Sequence, residues 1–221
     1  MSEAVYPSYM NLDPFIDVDQ LTALDTFISE RLQARLDHAD DRQFYTGPFL
    51  LKKDAPQRPG TRMVYLSRSR QPDDYYDLDR TDLWEPTPEA EEFAPLMAFI
   101  DTLPFKGTAR MLIMYDAEGR AVSAHKDHDS TELCHEFIWF RTNLRKPFYM
   151  LNPDSGEQLY VASHAAWFDT VNQFHGADAT GELAFSVRVD GVFSDAFREQ
   201  IPWPETNRAS AASRWAKTSS I

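Results

Sequence analysis

The sequence predicts a mainly β protein, an antiparallel jelly-roll barrel supported by N-terminal helices. Three observations predict it. Residues 17–37 carry apolar side chains at helical spacing. After Pro104 the chain becomes a series of short apolar runs separated by turn residues. Aromatic residues make up 13% of the 221-residue chain, which suits a β-rich core or an aromatic-lined pocket. The length fits one domain with a sizeable core. The expected organisation is a single catalytic domain over 1–203, with helical support over 1–104 and the barrel over 105–203. Residues 204–221 form a small, polar tail.

The elements follow in order. In DVDQLTALDTFISERLQARLD, Leu21, Leu24, Phe27, Ile28, Leu32 and Leu36 fall on one face of a helix. Residues 54–61 and 70–79 are polar and rich in turn formers, so they read as loops. Residues 86–101 read as a second helix. Glu89, Glu91 and Glu92 near its start suit the helix dipole, and Pro95 marks a kink or an interruption. Six strands are then expected, over 109–115, 135–142, 147–151, 158–162, 166–171 and 183–189. DAEGR, NPDSGE and DATGE lie between them as turns, and many short strands at this spacing indicate a sandwich or barrel.

Composition excludes several classes of function. The formal net charge of −13 repels phosphate backbones, so neither nucleic acid nor an anionic membrane surface is an expected partner. The single cysteine, Cys134, permits no internal disulfide and no cysteine-rich zinc site. The N-terminal MSEAVYPSYMNLDPF lacks the basic and apolar regions of a signal peptide, and no apolar run is long enough to span a bilayer. A cytoplasmic location is the expectation. Oligomeric state is open.

The chemistry-bearing residues converge on histidine and aspartate. Two His-x-Asp pairs occur. His38-Ala39-Asp40 closes the first helix within a charged run and reads as a solvated terminus. His125-Lys126-Asp127 follows a strand and a turn, where residues i and i+2 of extended chain point the same way and can bind one metal. A site of two histidines and one carboxylate needs a distal ligand, and His175 in FDTVNQFHGAD is the candidate. Three ligands on one side leave the other coordination positions open, as in non-haem iron sites. Gly176 beside it permits close approach of backbone or ligand. Arg188 lies on the next strand, alternating with Val187 and Val189, and an inward-facing arginine needs an anionic partner. Alternatives stay open at this point: a cupin-like metal barrel without oxygenase activity, a zinc hydrolase, or a domain that binds no metal. A cupin-like site normally gathers His-x-His and a Glu, and a hydrolase needs a general base at a fixed offset. Neither pattern is present.

Together Tyr115, His125, Asp127, His175 and Arg188 resemble the 2-oxoglutarate/Fe(II)-dependent dioxygenase superfamily. The likeness spans about residues 109–193. AWFDTVNQFHGADATGELAFSVRVDG is similar to the aspartyl/asparaginyl β-hydroxylase-like branch and to free-amino-acid hydroxylases, and MYDAEGRAVSAHKDHD to prolyl 4-hydroxylases. The resemblance implies a double-stranded β-helix with iron held by His125, Asp127 and His175, and with 2-oxoglutarate and O2 as cosubstrates. It implies that Arg188 pairs with the distal carboxylate of 2-oxoglutarate and that Tyr115 hydrogen-bonds the cosubstrate. Arg141 is a further candidate for the other end of 2-oxoglutarate or for a substrate carboxylate. Related halogenases have a small residue where Asp127 stands, so Asp127 implies hydroxylation. The implied substrate is a small polar molecule such as an amino acid or a derivative, with a protein or peptide side chain as the alternative. His128 and Asp129 adjoin the ligands as substrate candidates.

Overall fold

The computed structural model describes residues 8–37, 61–71, 78–127 and 135–201. The first amphipathic segment forms two helices where its spacing predicts one. They are α1 (Val18–Ala23) and α2 (Asp25–Asp37), and the backbone N–H of Leu24 closes α1. Asp17 caps α1 by accepting from the Gln20 N–H at 2.8 Å, satisfying a donor the first turn leaves open. Leu21, Ile28 and Leu32 are fully buried, and Leu24, Phe27 and Leu36 pack partly buried against the same core. Burial of each Leu or Ile stabilises by about 1.5–3 kcal/mol.

Strands also come from the N-terminal half, beyond the helical support expected there. β1 (Tyr9–Asn11) and β2 (Arg62–Tyr65) join the large sheet, and β3 (Ser67–Ser69) pairs with β4 (Trp84–Pro86). The second predicted helix divides into α3 (Pro88–Glu92) and α4 (Ala94–Ile100), interrupted at Phe93. Pro95 sits in the first turn of α4, where its missing N–H costs nothing.

The barrel begins with β5 (Phe105–Asp116) and continues through β6 (Val122–His125), β7 (Glu136–Phe140), β8 (Phe148–Leu151), β9 (Gln158–Tyr160), β10 (Ala165–Phe168), β11 (Phe174–Ala177) and β12 (Ala184–Phe193), followed by α5 (Asp195–Gln200). The large sheet runs β1-β10-β7-β12-β5-β2 and the small sheet β6-β11-β8-β9, with every pairing antiparallel. The chain passes repeatedly between the two sheets, which is the jelly-roll connection the sequence predicts. The six expected strands are β5, β7, β8, β9, β10 and β12. β6 and β11 are additional. They hold two histidines of the metal constellation.

Register assigns the two faces of the large sheet. Val187 pairs with Ile113 and Phe140, all fully buried, and Phe99 of α4 meets Phe140 edge-to-face at 5.4 Å. That face lies under the helices. One residue along, Arg188 pairs with Leu112 and Trp139, so this alternate set faces the barrel interior. Among the described residues no helix is long and apolar enough to cross a membrane.

Candidate metal centre

His125 ends β6 and His175 lies in β11, and the two are paired partners across the small sheet. Their rings stand 4.3 Å apart between centroids. The backbone N–H of Asp127 donates to the Thr170 carbonyl at 3.0 Å, which returns the carboxylate toward the same point. His125 Nε2 lies 3.3 Å and His175 Nε2 3.4 Å from Asp127 Oδ1. The three potential ligand atoms all lie within 4.8 Å of one another. His175 is 6% exposed, His125 21% and Asp127 26%, so the site opens on the β6 side.

Each imidazole is oriented by backbone. His125 Nδ1 is 2.9 Å from the Ser123 carbonyl and His175 Nδ1 is 3.2 Å from the Gln173 carbonyl. A carbonyl only accepts, so each Nδ1 donates its proton there, and each Nε2 is the atom left to face Asp127, where a metal would take the place of any proton. Phe168 lies 4.7 Å from the His175 ring and walls the site on one side. Burial acts to raise the Asp127 carboxyl pKa. Hydrogen bonds with His125 and His175, and the charges of His175 and Arg188, outweigh it and hold the carboxyl well below its ordinary value. The donor set of two imidazole nitrogens and one carboxylate oxygen, with open space beside it, fits a divalent iron.

The loop before β11 places both distal and proximal ligands. Asp169 accepts from the Val171 and Asn172 backbone N–H groups and from the Asn172 amide. Gln173 is fully buried. Its oxygen accepts from Ser8 N–H at 2.6 Å, and its amide nitrogen donates to the Leu151 and Phe174 carbonyls. Gly176 has a structural necessity: a Cβ there would stand 2.5 Å from Tyr149 Oη and 2.7 Å from the Val122 carbonyl.

A cavity of about 160 Å³ extends from the triad into the barrel. Its lining includes Trp139, Phe148 and Phe168, with Asp116, Arg141, Lys146, Ser186 and Arg188 as polar groups. Trp139 and Phe148 stack at 4.4 Å.

The remaining expected site residues fare differently. Arg188 faces the interior, as alternation predicts, and its guanidinium contacts two aspartates. Nη1 donates to Asp127 Oδ2 at 3.2 Å and Nε to Asp190 Oδ1 at 2.9 Å, and the guanidinium lies 3.9 Å over Phe137. Tyr115 borders the cavity, yet its side chain shares the helix-facing register of Ile113 and packs in the core beside Arg62. Its alternation neighbours Met114 and Asp116 face inward instead. Arg141 lines the cavity but donates to the Ser163, Lys146 and Val161 carbonyls. Burial lowers its pKa to about 10. His164 contacts the Arg141 carbonyl and His135 is buried, and neither joins the triad. His38, Asp40, His128, Asp129, Cys134 and the 204–221 tail lie outside the described residues.

Sequence reading missed Lys146, Asp116, Gln173 and the Arg110–Asp190 pair. Lys146 and Gln173 sit in irregular segments with no periodic signal. The inward face of β5 could have been found from the same alternation that located Arg188.

No family model and no curated protein matches the chain. Solved structures do. A prolyl hydroxylase from Trichoplax adhaerens, in complex with a hypoxia inducible factor oxygen degradation domain peptide fragment, is similar at 10% identity and TM-score 0.50, over 88% of this chain and 87% of that one. A Pseudomonas putida prolyl-4-hydroxylase is similar at 12% identity and TM-score 0.45, over 85% and 93%. AviO1 from Streptomyces viridochromogenes Tue57 shows 16% identity and TM-score 0.44, over 89% and 93%. The fold is the oxygenase jelly roll. It is shared over most of the chain with the Trichoplax enzyme.

Proposed function

We propose that this protein is an Fe(II)- and 2-oxoglutarate-dependent dioxygenase that hydroxylates a C–H bond. The observation that carries the proposal is the convergence of His125 Nε2, His175 Nε2 and Asp127 Oδ1 at the mouth of an aromatic-walled cavity in a jelly roll. Iron bound by these three residues would supply oxygen activation coupled to oxidation of 2-oxoglutarate to succinate and carbon dioxide.

The chain's own residues prepare the site for that chemistry. The Ser123 and Gln173 carbonyls hold each imidazole in the tautomer that presents Nε2. Arg188 donates to Oδ2 of Asp127 and so orients the carboxylate. Trp139, Phe148 and Phe168 give the cavity apolar walls, against which electrostatic interactions are stronger than in bulk water.

The proposed substrate is a small polar molecule such as an amino acid or a derivative, in keeping with the modest cavity and the likeness to free-amino-acid hydroxylases. A peptide side chain is the second reading. It is favoured by the Trichoplax neighbour, whose structure holds a peptide. The test is anaerobic titration with Fe(II) and 2-oxoglutarate, followed by the metal-to-ligand charge-transfer absorption. The wild type develops the band and His175→Ala does not. Absence of a band in the wild type, or an unchanged band in the variant, overturns the proposal. Succinate release across panels of amino acids and peptides then separates the two substrate readings.

A further inference from the structure

We infer that Lys126 and Phe174 are positioning residues for the metal centre: the lysine ammonium over the phenylalanine ring ties the two ligand-bearing segments together on the outer face of the small sheet. This inference rests on the metal site of the function proposed above.

The strand pairing that aligns the two histidines is short. β6 ends at His125, which pairs with His175, and a register shift interrupts the ladder between His175 and Ala177. Past His125 the chain is next held where the Asp127 N–H donates to the Thr170 carbonyl at 3.0 Å. Lys126 stands between these two anchor points and between two ligands. His125 and Asp127 line the cavity and Lys126 does not, as expected of alternate residues in extended chain. On β11 the same alternation directs His175 inward and Phe174 outward. The two outward side chains meet. Lys126 Nζ lies 5.5 Å from the centroid of the Phe174 ring, within range of a cation–π interaction. Both residues are half-buried. Among the described residues Lys126 has no carboxylate within ion-pair distance, so the ring is the electrostatic partner the fold gives it.

His175 is thus backed on the outer face at both of its neighbours. Lys126 lies over Phe174, and the Tyr149 side chain lies against Gly176 and meets Tyr160 edge-on at 6.0 Å. Tyr149 comes from β8, which carries no ligand. Lys126 comes from the segment that carries His125 and Asp127, so its contact with Phe174 links the two halves of the metal site directly. A metal needs those halves at a fixed separation, since its three ligand atoms lie within 4.8 Å of one another. The lysine stem reaches across the sheet where the ladder ends, and it holds the His125–Asp127 segment against β11 without touching a ligand atom.

The experiment is a double-mutant cycle on the full chain with Co(II) as the probe metal. Its visible absorption reports affinity and coordination geometry without cosubstrate or turnover. Phe174→Leu removes the ring and leaves every charge in place. It is expected to weaken Co(II) about 2- to 5-fold, the size of a partly exposed cation–π contact, and to alter the band shape. Lys126→Met removes the contact but also a positive charge near a dication, so its single effect has no fixed sign. The cycle separates the two. Phe174→Leu is expected to lose its effect on Co(II) affinity in the Lys126→Met background and to keep it in Lys126→Arg, which still offers a cation to the ring. Wild-type Co(II) affinity in Phe174→Leu, or an effect of equal size in the Lys126 and Lys126→Met backgrounds, overturns the inference. So does coupling confined to the urea midpoints of the metal-free protein, which would mean a brace that serves the fold alone. If Phe174→Leu does not fold, Phe174→Met takes its place in the cycle. Absence of Co(II) binding in the wild type overturns the metal site and this inference with it. Co(II) binding without a charge-transfer band for Fe(II) and 2-oxoglutarate overturns the proposed function alone, and the cycle still decides the roles of Lys126 and Phe174.

Discussion

His125 and His175 are direct cross-strand partners on β6 and β11, and the same pairing that closes the small sheet brings their Nε2 atoms to one carboxylate oxygen. Metal binding and sheet pairing are therefore coupled. A metal that binds the folded state alone stabilises it by about 2.7 kcal/mol at a hundredfold excess over its dissociation constant. Anaerobic Fe(II), or Mn(II) as a redox-silent substitute, is expected to raise the melting temperature of the wild type, and EDTA to reverse the rise. His125→Ala, Asp127→Ala and His175→Ala are each expected to abolish most of the shift. An equal shift in the triple variant would mean that the metal binds elsewhere.

Gly176→Ala is expected to destabilise the fold by about 1–3 kcal/mol, in the range of overpacking in a well-filled site. The added Cβ would meet the Tyr149 hydroxyl at 2.5 Å and the Val122 carbonyl at 2.7 Å, one from each flanking strand. Because Gly176 adjoins His175, Fe(II) affinity is expected to fall as well. Urea unfolding with and without metal measures both. Tyr149→Phe in the same chain relieves only the first contact and is expected to recover only part of the loss.

The barrel was legible where strands alternate and turns separate them. β5, β7, β8, β10 and β12 announce themselves by apolar runs between Gly-, Asp- and Pro-bearing turns. β6 and β11 did not, because Val122-Ser-Ala-His and Phe174-His-Gly-Ala spend their positions on ligands and a close approach rather than on apolar alternation. The inward direction of Arg188 followed from period two. Its partner did not, since Asp190 is claimed jointly by Arg110, 80 residues earlier in the chain. Period two also puts Tyr115 on the face it shares with Ile113, while the cavity that it borders is lined from β5 by Met114 and Asp116 as well.

Asp190→Asn is expected to cost about 3–5 kcal/mol, because it leaves Arg110 and Arg188 buried without their shared counter-charge. The pH dependence has a definite sign. Burial alone would raise the Asp190 carboxyl, but Arg110 and Arg188 outweigh it and hold the folded-state value below the ordinary 3.8. A depressed carboxyl contributes stability above its unfolded pKa and loses it as pH falls through the folded value. The stability gap between wild type and Asp190→Asn is thus expected to be full at neutral pH and to close only below about pH 4. Urea midpoints from pH 3 to 7 measure it. A gap that closes between pH 5 and 7 would assign the dependence to another group.

Gln173→Leu tests whether the loop before β11 is held from the N-terminus. The Gln173 side chain is fully buried and joins three separate stretches of chain: Ser8 before β1, Leu151 at the end of β8 and Phe174 at the start of β11. Leucine has similar volume, so little is lost in packing. The change instead leaves one backbone N–H and two carbonyls without this partner, at about 1–3 kcal/mol for each group left buried and unsatisfied. The expected result is a lower urea midpoint with an unchanged slope. Fe(II) affinity is expected to weaken too, because the Gln173 carbonyl orients His175 Nδ1 and the same loop supplies the Thr170 carbonyl to Asp127. A variant that loses stability but keeps wild-type metal affinity would show that β6 and β8 alone are enough to orient His175.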